Sequence, residues 1–172
     1  MTLACGCPEH YPDWHDNDID LGGHRVLTLP IGTFLHMPIG YDVYVGRMRQ
    51  MLKQLELKER WPNLLLTQTG WLKGRVIALL EDEDNASPSR HVSRLPSPFN
   101  IDAMLHNGGM GTIRNAVRQM QSRLLDQGRM PKELYLCHLT CDRCSDERGG
   151  ELIMVLRRWE PSRRLSGKVS PR

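Results

Sequence analysis

The sequence predicts an α+β fold in which two main helices pack on one antiparallel sheet. The order strand, helix, strand, strand occurs twice, once in residues 25–80 and again in residues 91–159. With 172 residues, 40% of them apolar and 25% charged, the chain is long enough for one domain with a substantial core. We therefore predict a single domain over residues 25–160, a metal-binding amino-terminal arm over residues 1–24, and a flexible basic tail over residues 161–172.

The first half of the domain begins with an apolar run at residues 25–37. Pro30 and Gly32 interrupt this run, which predicts either a strand that bends or two short strands. Apolar residues then recur every three or four positions, a spacing that predicts one buried stripe along a helix: Val45, Met48, Leu52 and Leu55. Two further strands are predicted at residues 63–69 and 71–80.

The second half begins within a long polar segment. Residues 81–98 are predicted to form a surface loop that holds one short strand at residues 91–95. A second helix follows, ended by Gly128, and its predicted inner face carries Ile113, Ala116, Val117, Met120 and Leu124. Two strands, at residues 133–139 and 151–159, complete this half.

Cysteine and histidine residues near both ends of the chain point to a metal site. The pair Cys141-x-x-Cys144 has the spacing that lets two thiolates at a tight turn face one ion at about 2.3 Å each. A second motif lies near the amino terminus, where Cys7 and His10 are separated by two residues. The predicted ligands, a set typical of closed structural Zn²⁺ sites that would staple the termini together, are Cys7, His10, Cys141 and Cys144. Cys5 and Cys137 are reserve ligands.

A glycine-rich stretch directly before the second helix predicts an anion site. Backbone N–H groups at a helix start converge on an anion, and the helix dipole adds positive charge there. The predicted ligand-binding residues are Gly108, Gly109, Gly111, Thr112 and Arg114. The alternative is that the glycines only allow a tight turn and close packing. Under the first interpretation, a small anionic molecule binds in the cleft between the two halves.

The sequence is therefore consistent with three functions. The first is a zinc-binding protein with a small anionic ligand. The second is a metal-dependent hydrolase or group transferase in which His15 or His106 is catalytic, a reading that an open metal site with a bound water would favour. The third is a nucleic-acid or protein interaction module, because residues 157–172 contain six basic residues against one acid.

Cysteine content, the length of apolar runs and the net charge bear on where the protein is located and on what it binds. Five cysteines without a visible export signal favour reduced thiols or metal ligands over disulfides, so we expect a cytoplasmic protein. No apolar run approaches the length of a membrane span, so we expect no membrane partner. The net charge of +3 is too small to imply nucleic-acid binding by itself.

Overall fold

The strands of the computed structural model join in one antiparallel sheet, and the structure describes residues 5–35, 37–82 and 89–166. The described strands are β1 (Asp18–Asp20), β2 (Arg25–Phe34), β3 (Met37–Pro38), β4 (Leu65–Gln68), β5 (Lys73–Leu79), β6 (Val92–Arg94), β7 (Asn100–Asn107), β8 (Arg129–His138) and β9 (Leu152–Pro161). The described helices are α1 (Tyr41–Gln54), α2 (Ile113–Asp126) and α3 (Arg163–Ser166). The α+β class with an antiparallel sheet and two main helices is confirmed.

The predicted duplication is visible in the order of the strands. The sheet runs β1-β7-β9-β8-β4-β5-β2-β3, and β6 pairs with β2 outside this path. The first half is β2-α1-β4-β5 and the second half is β7-α2-β8-β9. In each half the third strand lies between the first and the second. The two second strands, β4 and β8, meet in the middle, where Thr67 lies opposite Leu136 and Gln68 opposite Tyr135.

One strand differs from its predicted position. The first strand of the second half is β7, at Asn100–Asn107, whereas the sequence placed it at residues 91–95; β6 lies there instead and pairs with the first half. Asp102 makes the run Ile101 to Met104 look unlike a buried strand. In the fold its carboxylate is buried and receives hydrogen bonds of 2.8 Å from the Arg123 guanidinium on α2. A distant partner therefore allows an acidic residue in this strand.

Both long helices lie on the same face of the sheet. Met48 and Leu52 of α1 pack against strands of the first half, and Met120 and Leu124 of α2 pack against strands of the second half. Because side chains alternate along a strand, the intervening apolar residues form a separate cluster on the opposite face. The helix-bearing face thus has a space between α1 and α2, above β4 and β8.

The opposite face is covered by irregular segments. Trp14 and Leu21 of the arm pack there and are buried, with 7% and 1% of their surface exposed. β1 extends the sheet by pairing with β7, and Asp16 forms an ion pair of 2.8 Å with Arg123. From Trp14 onward the arm is therefore held by packing, strand pairing and charge, in addition to any contribution from a metal.

The basic tail predicted over residues 161–172 is described only in its first part. Pro161 belongs to β9, and Arg163–Ser166 form the one-turn helix α3. Residues 167–172 lie outside the described residues. Within the part of the chain that the structure describes, no helix is long and apolar enough to cross a membrane.

Candidate metal centre and adjoining cleft

Four cysteines from opposite ends of the chain converge at one point. Cys5 and Cys7 come from the arm, and Cys141 and Cys144 come from the loop after β8. All four Sγ atoms lie within 4.8 Å of one another, and those of Cys141 and Cys144 are 3.9 Å apart. A tetrahedral site with metal–sulfur bonds of about 2.3 Å requires sulfur atoms about 3.8 Å apart. These residues, here called the cysteine group, therefore have the dimensions of a four-thiolate metal site.

Gly6 allows both arm cysteines to reach this group. Its φ of +74° lies in the left-handed region, where a residue with a Cβ is strained. A Cβ at this position would also overlap the guanidinium of Arg49, which belongs to α1. Arg49 Nη2 donates a hydrogen bond of 2.8 Å to the Gly6 carbonyl. The arm is thereby attached to the first half of the fold beside the cysteine group.

The loop after β8 is shaped by its own backbone. The N–H of Cys144 donates to the carbonyl of Cys141 at 3.0 Å, which forms a tight turn between the two cysteines. The N–H of Cys141 in turn donates to Cys144 Sγ at 3.3 Å. At the base of the loop, the N–H of Leu152 donates to the Thr140 hydroxyl at 2.7 Å. The C-x-x-C spacing thus places both thiols on one side of the turn.

Arg148 connects this loop to the arm. Its Nη1 donates to the carbonyls of Leu139 and Pro8, each at 3.0 Å. Arg148 and Arg49 therefore hold the arm from two sides, one from each half of the fold. Protein contacts alone therefore position the two segments of the cysteine group.

The thiols of the group differ in their acidity. Burial raises the pKa of Cys7 and of Cys144, whereas a hydrogen bond from the backbone of Cys7 lowers the pKa of Cys5 to about 7. Four adjacent thiolates would repel one another in the absence of a cation. A bound divalent metal removes this repulsion, because it is the thiolate that coordinates metal.

The structure brings together three of the four predicted metal ligands. Cys7, Cys141 and Cys144 lie in the group, and the fourth member is Cys5, which the sequence named only as a reserve. His10 is not a member, and its side chain is exposed. The other reserve, Cys137, is fully buried in the core on the face opposite the helices. A single glycine between Cys5 and Cys7 was the sequence signal that could have favoured Cys5.

A cleft lies beside the cysteine group, between the two halves. It consists of two adjoining cavities of about 240 Å³ and 270 Å³. Both cavities are lined by Tyr41, Asp42, His138, Thr140 and Cys141. One cavity extends along α1 to the arm, and the other extends toward β9. Because Cys141 belongs to both the cleft and the cysteine group, the two sites share a wall.

Two aromatic rings with polar groups line both cavities of the cleft. The rings of Tyr41 and His138 lie 5.6 Å apart, and the Thr67 hydroxyl donates to the Tyr41 hydroxyl at 3.1 Å. Burial raises the pKa of Tyr41 and lowers the pKa of His138, the latter against the opposing charge of Glu151. Both rings are therefore neutral near pH 7. The negative charge of the cleft comes from other lining residues, among them the carboxylates of Asp42 and Glu151.

The predicted anion-binding residues form the loop between β7 and α2, together with the first turn of α2. The carboxylate of Glu151 lies against Gly109, where an added Cβ would overlap it. The N–H of Gly108 donates to the Glu151 backbone carbonyl at 2.8 Å. Arg114 is exposed, and the loop residue that reaches the cleft is Met110, which the sequence did not single out. The chain's own carboxylate therefore occupies the space beside these glycines.

The two candidate catalytic histidines are held in separate hydrogen bonds. His106 Nε2 lies 2.9 Å from the hydroxyl of Thr112. His15 Nδ1 accepts a hydrogen bond of 2.9 Å from the N–H of Leu105, and its Nε2 lies 3.2 Å from Asp16. Neither histidine lines the cleft or belongs to the cysteine group. Their predicted catalytic role stays a prediction.

Comparison with known proteins extends the description of the fold. No protein-family model matches the sequence, and no curated protein matches it either. Among solved structures, the EcmrR C-terminal domain is similar, with a TM-score of 0.60 at 10% identity over 84% of this chain and 96% of that chain. At this identity the likeness shows the fold alone. Fold and site together define an α+β domain with four clustered cysteines that could hold a metal ion. A cleft between the two halves of the domain lies beside them.

Proposed function

We propose that this protein binds one Zn²⁺ ion through Cys5, Cys7, Cys141 and Cys144. The observation that carries the proposal is the convergence of four Sγ atoms within 4.8 Å. Thiolates are soft ligands that suit zinc, and four of them complete a tetrahedral shell. Such a closed site leaves no position for a reacting water, so it supports a structural ion and gives no support to the hydrolase alternative. The ion fastens the start of the chain to the loop after β8.

Metal analysis of untagged protein tests this assignment. We expect close to one equivalent of zinc per chain, lost in Cys5→Ser and in Cys144→Ser. Two variants serve as controls, because His10→Ala and Cys137→Ala change residues outside the group and should retain the ion. Less than about half an equivalent in wild-type protein would contradict the proposal, given the tight binding of structural zinc sites. Retention in Cys5→Ser with loss in His10→Ala would instead support the ligand set predicted from the sequence.

A second candidate function is the binding of a small molecule in the cleft. Ligand sites are typically concave and largely apolar, with a few converging polar groups. The cleft has this character, since Val45, Leu65 and Ile153 line it together with Tyr41 and His138. The cleft and its apolar lining support the proposal.

The charges around the cleft favour a neutral or cationic ligand over the anionic ligand expected from the sequence. Asp42, Asp142 and Glu151 line it, whereas Arg49 is the cation among its lining residues. Arg49 already donates to Gly6. An anion would have to approach three carboxylates, and at the glycine loop it would have to displace Glu151.

Three aromatic probes that differ mainly in charge distinguish these expectations: benzyltrimethylammonium, benzyl alcohol and benzoate. We expect the first two to shift amide NMR signals of Tyr41, His138 and their neighbours at lower concentration than benzoate does. The preference for the cation should disappear in the double variant Asp42→Asn, Glu151→Gln. Tighter binding of benzoate at these residues would favour the original anionic prediction. The basic-tail alternative rests partly on residues 167–172, outside the described range, and stays a prediction.

A further inference from the structure

Another cavity lies at the other end of the central strand pair. β4 and β8 meet in the middle of the sheet, and the cleft described above lies near Leu65 and His138. The other cavity has a volume of about 400 Å³ and is lined by Thr69, Lys132, Glu133, Leu134 and Arg157. Leu134 packs at the edge of the α2 cluster and is paired with Arg157 of β9. This cavity, here called the Arg157 cavity, shares no lining residue with the cleft or the cysteine group.

One cation that lines the Arg157 cavity forms no ion pair with any residue that the structure describes. Lys132 Nζ lies 3.2 Å from Glu160. Arg158 forms ion pairs with Glu133 at 3.1 Å and with Glu160 at 2.9 Å. Lys132 and Arg158 are thus paired with the carboxylates of Glu133 and Glu160, whereas Arg157 forms no ion pair among the described residues. Glu133 is the acidic residue that lines the cavity, and its charge is compensated by Arg158.

The guanidinium of Arg157 is partly buried. Its Nε has no hydrogen-bond partner within the described ranges, a property that it shares with Arg158 Nε and Trp159 Nε1. Burial lowers the pKa of Arg157, against the opposing effect of the Glu133 carboxylate. A buried donor of a charged group that lacks an acceptor costs stability, and protein structures normally provide one. A ligand in the cavity that Arg157 lines would supply an acceptor for its guanidinium.

We propose that the Arg157 cavity binds an oxyanion, either a carboxylate or a phosphate group of a small molecule. The planar guanidinium of Arg157 matches two oxygens of such a group, and charge-assisted pairs of this kind are stronger than neutral hydrogen bonds. Thr69 and Lys132 also line the cavity and carry donor groups, a hydroxyl and an ammonium. The site depends on neither zinc nor the cleft ligand, because none of its residues belongs to those sites.

The test uses the full chain with its metal, and the probes are inorganic phosphate and acetate. Sodium chloride at equal ionic strength controls for general screening. Two quantities are followed, the Nε–Hε signal of Arg157 in NMR spectra, identified by its loss in Arg157→Lys, and the melting temperature. A ligand that binds the native state raises the melting temperature with its concentration. We expect phosphate or acetate, but not chloride, to shift the Arg157 signal and to raise Tm.

Variants make the test specific to this cavity. The rise in Tm should be lost in Arg157→Gln, reduced in Arg157→Lys, and unchanged in Arg118→Gln, which removes an exposed arginine of α2. An equal rise in Arg157→Gln, or an Arg157 signal that neither probe moves, would overturn the proposal. If Arg157→Gln does not fold, the NMR titration of wild-type protein decides alone. A response to phosphate and not acetate identifies a phosphate site, and the reverse identifies a carboxylate site.

Discussion

Arg49 on α1 donates a hydrogen bond of 2.8 Å to the carbonyl of Gly6, the residue between two clustered cysteines. The same arginine lines the cleft. One side chain therefore connects the geometry of the candidate metal centre to the wall of the candidate ligand site. The contact is close enough that a side chain at position 6 would displace the Arg49 guanidinium.

Replacing Gly6 with alanine should weaken zinc binding. The left-handed conformation costs a non-glycine residue roughly 1–2 kcal/mol, and the new methyl group would also displace Arg49. A loss of this size corresponds to about a tenfold fall in zinc affinity, measured by competition with a chromophoric chelator. Gly23→Ala is the matched control, because Gly23 has a φ of +77° but no neighbouring atom within 4 Å of the added Cβ. Equal losses of zinc affinity in both variants would contradict a specific role for Gly6.

Chelation of the proposed zinc ion should loosen the arm around Cys5 and Cys7 without unfolding its continuation from Trp14. Trp14 and Trp61 form an edge-to-face pair with ring centroids 5.0 Å apart, and Trp14 is buried. We expect chelation to lower the melting temperature while the near-ultraviolet circular dichroism of the pair persists. Trp14→Phe identifies the contribution of the pair to the spectrum. Disappearance of the band on chelation would show that the metal orders the whole arm.

Arg123 should be one of the most sensitive positions outside the core. Its guanidinium bonds the buried carboxylate of Asp102 and the exposed carboxylate of Asp16. Arg123→Met would leave Asp102 buried without its partner, a type of change that costs about 3–5 kcal/mol. We expect the free energy of unfolding, measured with urea, to fall by about this amount. The additional substitution Asp102→Asn should recover part of the loss. Arg118→Met, an exposed change on the same helix, should alter stability by less than about 0.5 kcal/mol; similar losses for both arginines would contradict the argument.

The pKa of the His138 imidazole reports on how deeply this ring is buried in the cleft. Burial lowers its pKa and Glu151 raises it, so NMR titration should give a pKa below the ordinary value of about 6.5. Below pH 6.5 the unfolded chain then binds more protons at this residue than the folded chain. The contribution of His138 therefore decreases stability as the pH falls from about 6.5 through its folded pKa. Glu151→Gln should lower the pKa further, whereas a pKa at or above 6.5 in wild-type protein would contradict burial of the ring.

Helices and the repeat could be predicted because their signals are local. The apolar spacing of Met48 and Leu52, and of Met120 and Leu124, indicates one buried helix face wherever the helix packs. β7 was misplaced because its residue Asp102 looks unsuitable for a buried strand until Arg123 is known to face it. No local pattern in the sequence carries the information that a residue on α2 compensates this charge.

By itself, the sequence determined the α+β class, the double β-α-β-β order and the C-x-x-C pair as one half of a group that could hold a metal ion. Only the tertiary structure decided that Cys5, and not His10, completes the cysteine group, and that Glu151 lies at the glycine loop. The physical reason is that spacing along the chain predicts which neighbours share a face. The direction of a thiol toward a distant partner depends instead on the φ of Gly6 and on contacts such as Arg49 to Gly6, which form only when both ends of the chain meet.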